Sequence, residues 1–335
     1  MKILTPIMSS RDIDILNPQE YGTEFFCGYL PQWWIEEFND PTSNRLSTPI
    51  NNRNAKSANV TTLEELCSIA SKSLQHKTDT YVVLNAKHYP DSVYKYIDKY
   101  IDEIVSAGIV KLIVCDIGMI RYLEKKYPQI VVSVSCLNQT TNSMAVKFYS
   151  HFRNVKRIVF PRHMSSEEIE KIALQFPEMS FEYFIFSNKC LYDDGYCRGI
   201  HEFTPICKDL FYSDFFSRTF DALNENEQQL LRINEFEFSL WTRNYLNSER
   251  LGYCTPNFGC TACSLVKLAK CNNIDSVKIS IRGHDVSERL RQVQMAHSII
   301  KCVAAEGSIE DVKEIVSKMY GKEDLCKSGM GCIMI

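Results

Sequence analysis

Short runs of apolar and β-branched residues recur along the chain, separated by segments in which apolar residues repeat every three or four positions. Most of the short runs are continuous rather than alternating, which is typical of parallel strands covered on both faces. They predict strands at 3–7, 24–30, 81–86, 111–117, 131–135, 157–161, 181–187 and 276–281. Amphipathic helices are predicted between them at 61–75, 92–108, 119–127, 142–152 and 165–176. This α/β alternation with eight strands indicates a (β/α)8 TIM barrel.

The predicted barrel forms one domain over residues 1–320, followed by a C-terminal tail at 321–335. Helices from about 285 to 320 are expected to close the domain. Between strands seven and eight, residues 188–259 form an insertion far longer than the roughly 2–6 residues of an ordinary connection. Barrel chemistry lies at the C-terminal ends of the strands, so this aromatic and charged insertion is predicted to cap the mouth.

The composition limits which binding partners and which cellular compartment are expected. Lys and Arg number 38 against 41 Asp and Glu, a net charge of −3, so no general attraction to nucleic acid or to an anionic membrane is expected. No apolar segment approaches the roughly 18 residues of a membrane helix. The N-terminal segment lacks the continuous apolar region of a signal peptide. These features predict a cytoplasmic protein.

Fourteen cysteines are unusual in such a chain, because cytosolic thiols stay reduced. Reduced cysteines in this number are either buried apolar residues or metal ligands. Five lie in apolar segments and are assigned to the core: Cys27, Cys67, Cys115, Cys136 and Cys302. Six lie among Gly, Pro, Asp and Asn, where ligands are usually displayed: Cys190, Cys197, Cys207, Cys254, Cys260 and Cys263. The sequence assigns no role to Cys254, Cys271, Cys326 or Cys332.

The cysteine spacing bears on the kind of metal centre. Four thiolates suit either zinc or an iron–sulfur cluster. Cys260 and Cys263 form one tight CxxC pair, whereas the other spacings are C-x6-C and C-x9-C. A structural zinc site usually shows two tight pairs, so the spacing favours a cluster over zinc. Buried thiols without any metal remain the other interpretation.

The run Glu182–Cys197, "EYFIFSNKCLYDDGYC", resembles the signature of the collagenase-like peptidase family U32. Five positions match it: Glu182, Phe184, Cys190, Gly195 and Cys197. The stretches "VVLNA", "IVCDIG", "VSCLNQTTNSMAVKFY" and "SVKISIRG" are also similar to family segments, in the same order. The chain departs from the common pattern at Ser187, where Gly is usual, and in "KISIRG". The C-terminal extension of longer members is not expected in this chain.

The resemblance implies a TIM barrel that carries a [4Fe-4S] cluster and hydroxylates tRNA, ribosomal RNA or the ubiquinone ring without oxygen. Some members use prephenate as the hydroxyl source. The resemblance also implies the metal ligands, namely Cys190, Cys197, Cys207 and either Cys260 or Cys263, with a partner subunit of the same family as a further expectation.

Two other functions remain open. No GxSxG or HExxH motif is present, so a peptidase would have to use a cysteine nucleophile with His163 or His201 as the base. A cluster-bearing barrel could also serve as a non-catalytic binding protein.

Strand ends supply the candidate substrate-binding residues: Asn85, Asp116, His163 and Arg282. Arg282 is predicted either to grip a carboxylate or phosphate, since guanidinium binds planar anions through two hydrogen bonds, or to form a salt bridge at the rim. Asp116 is predicted to orient a substrate hydroxyl or to cap the helix that follows. The substrate classes left open are an RNA base, a small molecule and a peptide.

Overall fold

The computed structural model describes residues 1–40, 45–53, 56–187 and 259–321, together with positions 195, 224–226, 228–229, 326–327 and 332. Its strands are β1 (Lys2–Pro6), β2 (Thr23–Gly28), β3 (Asn39–Asp40), β4 (Arg45–Leu46), β5 (Thr80–Leu84), β6 (Lys111–Val114), β7 (Val131–Val134), β8 (Val155–Val159), β9 (Ser180–Ser187), β10 (Gly259–Cys260) and β11 (Ile274–Ile279). Eight of them run parallel in the order β1-β2-β5-β6-β7-β8-β9-β11, and β11 pairs back with β1. The predicted (β/α)8 barrel is confirmed.

The helices cover the outside of the barrel. They are α1 (Ser10–Leu16), α2 (Pro18–Tyr21), α3 (Gln32–Phe38), α4 (Leu63–Gln75), α5 (Tyr94–Ser106), α6 (Ile117–Lys126), α7 (Ser143–Ser150), α8 (Ser166–Gln175), α9 (Leu265–Leu268), α10 (Val286–Ala304) and α11 (Ile309–Tyr320). α8 begins with a capping box, in which the side chains of Ser165 and Glu168 each accept a hydrogen bond from the other residue's backbone N–H. Among the described residues, no helix is long and apolar enough to cross a membrane.

Two apolar clusters explain why the strands are apolar on both faces. The large cluster fills the space between strands and helices and includes Phe25, Val82 and Leu112. The small cluster lies on the other face of the same strands, inside the barrel, and consists of Leu4, Phe26, Tyr81, Val83 and Ile113. Because successive residues of a strand point to opposite faces, both sets must be apolar.

A buried charge network lies in the barrel interior beside that small cluster, with Lys278 over the ring of Phe26 and Arg157 over the ring of Tyr81. Nη1 of Arg157 donates to Oε2 of Glu24 at 2.9 Å and to Oε2 of Glu182 at 3.3 Å. Nζ of Lys278 donates to Oε1 of Glu182 at 2.9 Å. Burial alone would lower the pKa of Arg157, but the charges of Glu182 and Glu24 outweigh burial and raise it. The four buried charges therefore compensate one another, as buried ions must.

The insertion begins and ends at one place on the barrel wall. β8 pairs only with the first half of β9, from Ser180 to Glu182. Beyond that point β10 lies antiparallel to the second half, with Gly259 opposite Ser187 and Cys260 opposite Phe186. The two ends of the predicted cap at 188–259 therefore lie side by side at the barrel mouth. Apart from its few described positions, the cap lies outside the described residues.

Candidate active site

The predicted substrate-binding residues all follow C-terminal ends of barrel strands. Asn85 follows β5, Asp116 lies beyond β6, His163 lies beyond β8 and Arg282 lies beyond β11. Since these strands are parallel, the four residues share the mouth of the barrel. Asn85 and Arg282 are buried, whereas His163 is exposed on its loop.

Arg282 is held by asparagine side chains. Its Nη2 donates to Oδ1 of Asn51 at 3.0 Å and to Oδ1 of Asn52 at 3.1 Å. The backbone N–H of Asn52 donates in turn to Oδ1 of Asn85 at 3.1 Å. Asn85 and Arg282 are thus joined through the loop 47–53, whose Asn51 and Asn52 were not among the predicted site residues. The run "INNRN" at 50–54 was the available signal.

The guanidinium of Arg282 is a buried positive charge. Only 4% of the residue is exposed, and no carboxylate among the described residues pairs with it. Burial lowers the pKa of Arg282 to about 9, and the neighbouring Arg53 also lowers it. Its Nη1 is buried and has no hydrogen-bond partner within the described part of the chain. A guanidinium stays protonated in proteins, so this arrangement favours an anion at the site. Among the described residues, Arg282 forms no salt bridge, which was the other role predicted for it.

Gly28 at the end of β2 makes room for this group. A Cβ atom at that position would lie 2.0 Å from Oδ1 of Asn59 and 2.6 Å from Nη1 of Arg282. Asn59 accepts a hydrogen bond from Nδ2 of Asn51 at 3.0 Å and donates one to the carbonyl of Arg53 at 2.7 Å. Any larger residue at this position would push into the polar contacts that orient the guanidinium.

Another part of the mouth contacts the signature. Nζ of Lys87 donates to the carbonyl oxygen of Gly195 at 2.6 Å. A Cβ on Gly195 would lie 2.0 Å from Cδ of Gln139, so only glycine permits this approach. Gln139 has φ of 50° in the left-handed region, which is uncommon for a residue with a side chain. The signature glycine therefore lies against residues that follow strands β5 and β7.

Asp116 and Glu182 both bond to groups of the fold itself. Oδ1 of Asp116 accepts a hydrogen bond from the N–H of Met119 at 2.6 Å and so caps α6, which is one of the two roles predicted for it. Its role toward a substrate stays a prediction. The signature residue Glu182 lies inside the barrel in the charge network, where its carboxylate forms ion pairs with Arg157 and Lys278.

The predicted metal ligands are only partly described. Cys190, Cys197, Cys207 and also Cys254 lie outside the described residues. Cys260 lies in β10 and Cys263 in a 3-10 turn at Ala262–Ser264. In the described ranges, no group of three or more Cys, His, Asp or Glu side chains is already arranged to hold a metal ion. The ligand set and its metal therefore stay predictions.

The fold and the mouth define a class: a (β/α)8-barrel protein with a buried cationic group at the end of the barrel where such folds carry their chemistry. Residues 47–328 match the sequence profile of Peptidase family U32. The chain belongs to that family, which confirms the resemblance drawn from the signature.

Curated relatives match a shorter stretch. The chain is 29% identical over 117 residues to tRNA hydroxylation protein P of Escherichia coli (strain K12), covering 35% of this chain and 25% of that protein. It is 26% identical over the same length to tRNA hydroxylation protein P of Haemophilus influenzae. The match thus spans about a quarter of each curated relative. A solved U32 peptidase, Mk0906, is similar with a TM-score of 0.41 and 10% identity, over 55% of this chain and 68% of that one.

Proposed function

We propose that this protein is an oxygen-independent hydroxylase and that Arg282 binds an anionic group at the barrel mouth. The observation that carries the proposal is the buried guanidinium, oriented by Asn51 and Asn52 and without a carboxylate among the described residues. Family membership and the two relatives described as tRNA hydroxylation proteins support it. Of the substrate classes, these relatives favour a tRNA base.

The proposal includes a [4Fe-4S] cluster on Cys190, Cys197, Cys207 and either Cys260 or Cys263. Thiolates are the ligands that iron–sulfur clusters require. Gly195 lies between Cys190 and Cys197 in sequence and touches Gln139 and Lys87, which supports a location of the signature beside the mouth. A bound cluster would supply redox-active, Lewis-acidic iron next to the substrate site.

The chain's own residues bind and orient the substrate in this proposal. Arg282 grips a carboxylate or phosphate, and the two asparagine oxygens fix the plane of its guanidinium. The buried Nη1 is the donor left for the ligand. Holding the reactant in one orientation in a site shielded from water is the contribution a barrel mouth can make.

The function is tested in a bacterial strain deleted for its own tRNA hydroxylase and grown without oxygen. Mass spectrometry of tRNA nucleosides should show the gain of one oxygen atom when the wild-type chain is supplied. The Arg282→Ala variant should lose this product while retaining the folded barrel and its iron. Arg153→Ala removes an arginine whose side chain is 89% exposed and serves as the matched control.

Two results would contradict the proposal. One is unchanged tRNA in every strain combined with iron-free protein after anaerobic purification. The other is peptide cleavage by the purified chain that persists after all iron is removed, which would favour the peptidase alternative.

A further inference from the structure

The loop that follows β7 carries buried polar side-chain atoms that lack a hydrogen-bond partner. They belong to three consecutive residues: within the described part of the chain, Nδ2 of Asn138, Nε2 of Gln139 and Oγ1 of Thr140 have none. Buried polar groups in folded proteins almost always have a partner, so each exception requires an explanation. The contacts around Arg282 do not account for these three atoms.

The loop lies at the barrel mouth, and its main chain is held by its own hydrogen bonds. The N–H of Asn138 donates to the carbonyl of Ser135 at 3.0 Å. The N–H of Gln139 donates to the carbonyl of Cys136, also at 3.0 Å. Oγ of Ser135 accepts a further hydrogen bond from the N–H of Leu137 at 3.3 Å. The turn is therefore fixed, and it presents the side chains of Asn138 and Gln139 from a defined backbone.

Cys115 sets the orientation of the Asn138 amide. It directly follows β6 and lies two positions beyond Ile113, whose side chain faces the barrel interior, so its thiol points into the mouth. Sγ of Cys115 donates to Oδ1 of Asn138 at 3.3 Å. Because the amide oxygen faces the thiol, the amide nitrogen of Asn138 is the group left to bind a ligand.

The two amide nitrogens require the same kind of partner. An amide nitrogen donates hydrogen bonds and does not accept them, so Nδ2 of Asn138 and Nε2 of Gln139 both need an acceptor. A carbonyl oxygen has two lone pairs and can accept from two donors, whereas a ring nitrogen of a base accepts from one. Gly195 of the signature lies against the same Gln139 side chain, so a ligand held here is next to the segment that carries Cys190 and Cys197.

We propose that Asn138 and Gln139 form a subsite that donates hydrogen bonds to an exocyclic carbonyl oxygen of the substrate base, and that Cys115 positions Asn138. Proteins commonly recognise unstacked bases of single-stranded RNA through such hydrogen bonds to the base edge. Uracil carries exocyclic carbonyl oxygens, whereas adenine carries an amino group, which would place a donor against donors. The identification of the ligand as a base rests on the proposed function, whereas the need for a carbonyl acceptor does not.

The test measures binding of uridine monophosphate and adenosine monophosphate to the full chain purified without oxygen, by NMR titration. The two probes share the ribose phosphate and differ in the base. Wild type should bind the uridine nucleotide about tenfold more tightly. Asn138→Asp should remove this preference, because it replaces the N–H donor by an acceptor of the same shape. Equal affinities of the wild type for both nucleotides, or binding of neither, overturns the subsite.

Asn142→Asp is the matched control in the same loop. Oδ1 of Asn142 accepts a hydrogen bond from the N–H of Ala145 at 3.0 Å and caps α7. Aspartate caps a helix as well as asparagine does, so this variant should keep the wild-type preference for the uridine nucleotide. Loss of that preference in Asn142→Asp as well as in Asn138→Asp would show that any new carboxylate in this loop has the effect, and would overturn the assignment to Asn138.

The assay of tRNA nucleosides separates this inference from the proposed function. Asn138→Asp and Gln139→Glu should each lower the hydroxylated product about tenfold in the deletion strain, while Asn142→Asp retains it. If wild type gives no such product but the nucleotide preference depends on Asn138, the proposed function fails and the subsite stands. If Asn138→Asp hydroxylates tRNA as wild type does, the subsite fails and the function stands.

A second pair of variants covers the case in which Asn138→Asp does not fold. Cys115→Ser keeps a donor for Oδ1 of Asn138, whereas Cys115→Ala removes it. The preference for the uridine nucleotide should persist in Cys115→Ser and fall in Cys115→Ala, with the thermal unfolding midpoint of each showing that the barrel is folded. The same preference in both folded variants would contradict the positioning role of Cys115.

Discussion

At the scale of single residues, the mouth depends on close contacts that only certain side chains allow. Arg282 fits because Gly28 has no side chain and because three asparagines, Asn51, Asn52 and Asn59, surround it with amide groups rather than carboxylates. Amides orient a guanidinium without cancelling its charge. The residue thereby keeps its capacity to attract an anionic ligand.

Gly28→Ala should disturb this arrangement, since the new methyl group would overlap Asn59 and Arg282. We expect formation of the hydroxylated tRNA nucleoside to fall at least tenfold, an effect of about 1.4 kcal/mol on the transition state. Gly22→Ala is the control: its Cβ meets nothing within 4 Å, but its φ of +66° strains alanine. It should cost about 1 kcal/mol of stability and leave activity intact. Equal losses of activity in both variants would show that Gly28 acts only through stability.

At the scale of elements, the sequence predicted what long or strongly apolar segments determine. All eight barrel strands and the helices α4 to α8 match the apolar patterns, because each buries one or both faces. The helices α1 to α3 were missed, since four to seven residues hold too few turns to show a period. β10 was missed because its two residues become a strand only by pairing with β9.

The residues of the candidate active site likewise divide into those that the sequence predicted and those that it did not. Asn85 and Arg282 could be predicted because a strand end fixes their position, and the structure buries both at the mouth. Asn51 and Asn52 could not, because the loop that carries them is placed by contacts with distant parts of the chain, such as the bond from Arg53 to the carbonyl of Arg282. Glu182 belongs to the family signature, which suggests a role in function. Its ion pairs with Arg157 and Lys278 show instead that it stabilises the barrel interior.

The start of α6 gives a test of the role of Asp116. Asp116→Ala removes the acceptor for the N–H of Met119 and should destabilise the fold by about 1 kcal/mol, whereas Asp116→Asn should preserve the cap. Chemical denaturation measures both, with Ser165→Ala at the start of α8 as the matched loss of a cap. If Asp116→Asn is stable but inactive in tRNA hydroxylation, the carboxylate also acts on the substrate.

At the scale of the whole molecule, the barrel interior and the barrel mouth differ in how far their buried charges are compensated. The interior below the mouth holds Glu24, Glu182, Arg157 and Lys278 in mutual contact, so that charge is compensated. The mouth holds Arg282, and burial together with Arg162 lowers the pKa of the nearby Arg53. A chain with a net charge of −3 thus concentrates positive charge where a ligand enters. Overall composition could not show this separation.

Glu182→Gln should reveal the structural role of the interior network. It leaves Arg157 and Lys278 with less than their full counter-charge inside the barrel, and breaking such a buried pair typically costs about 3–5 kcal/mol. Asp275→Asn is the control, since its carboxylate is 45% exposed and lies 3.6 Å from Nη2 of Arg157. That change should cost below about 1 kcal/mol. Similar urea midpoints for Glu182→Gln and wild type would contradict this role.

The pairing of β10 with β9 has a consequence for how this family can diversify. Because Gly259 lies opposite Ser187 in an antiparallel ladder, the two ends of the insertion are about 5 Å apart, the spacing of neighbouring strands. A two-residue hairpin turn can span that gap. The length and sequence of residues 188–258 can therefore change by gain, loss or exchange of whole segments without altering the register of the barrel. Evolution can therefore replace the cap without changing the barrel that carries it.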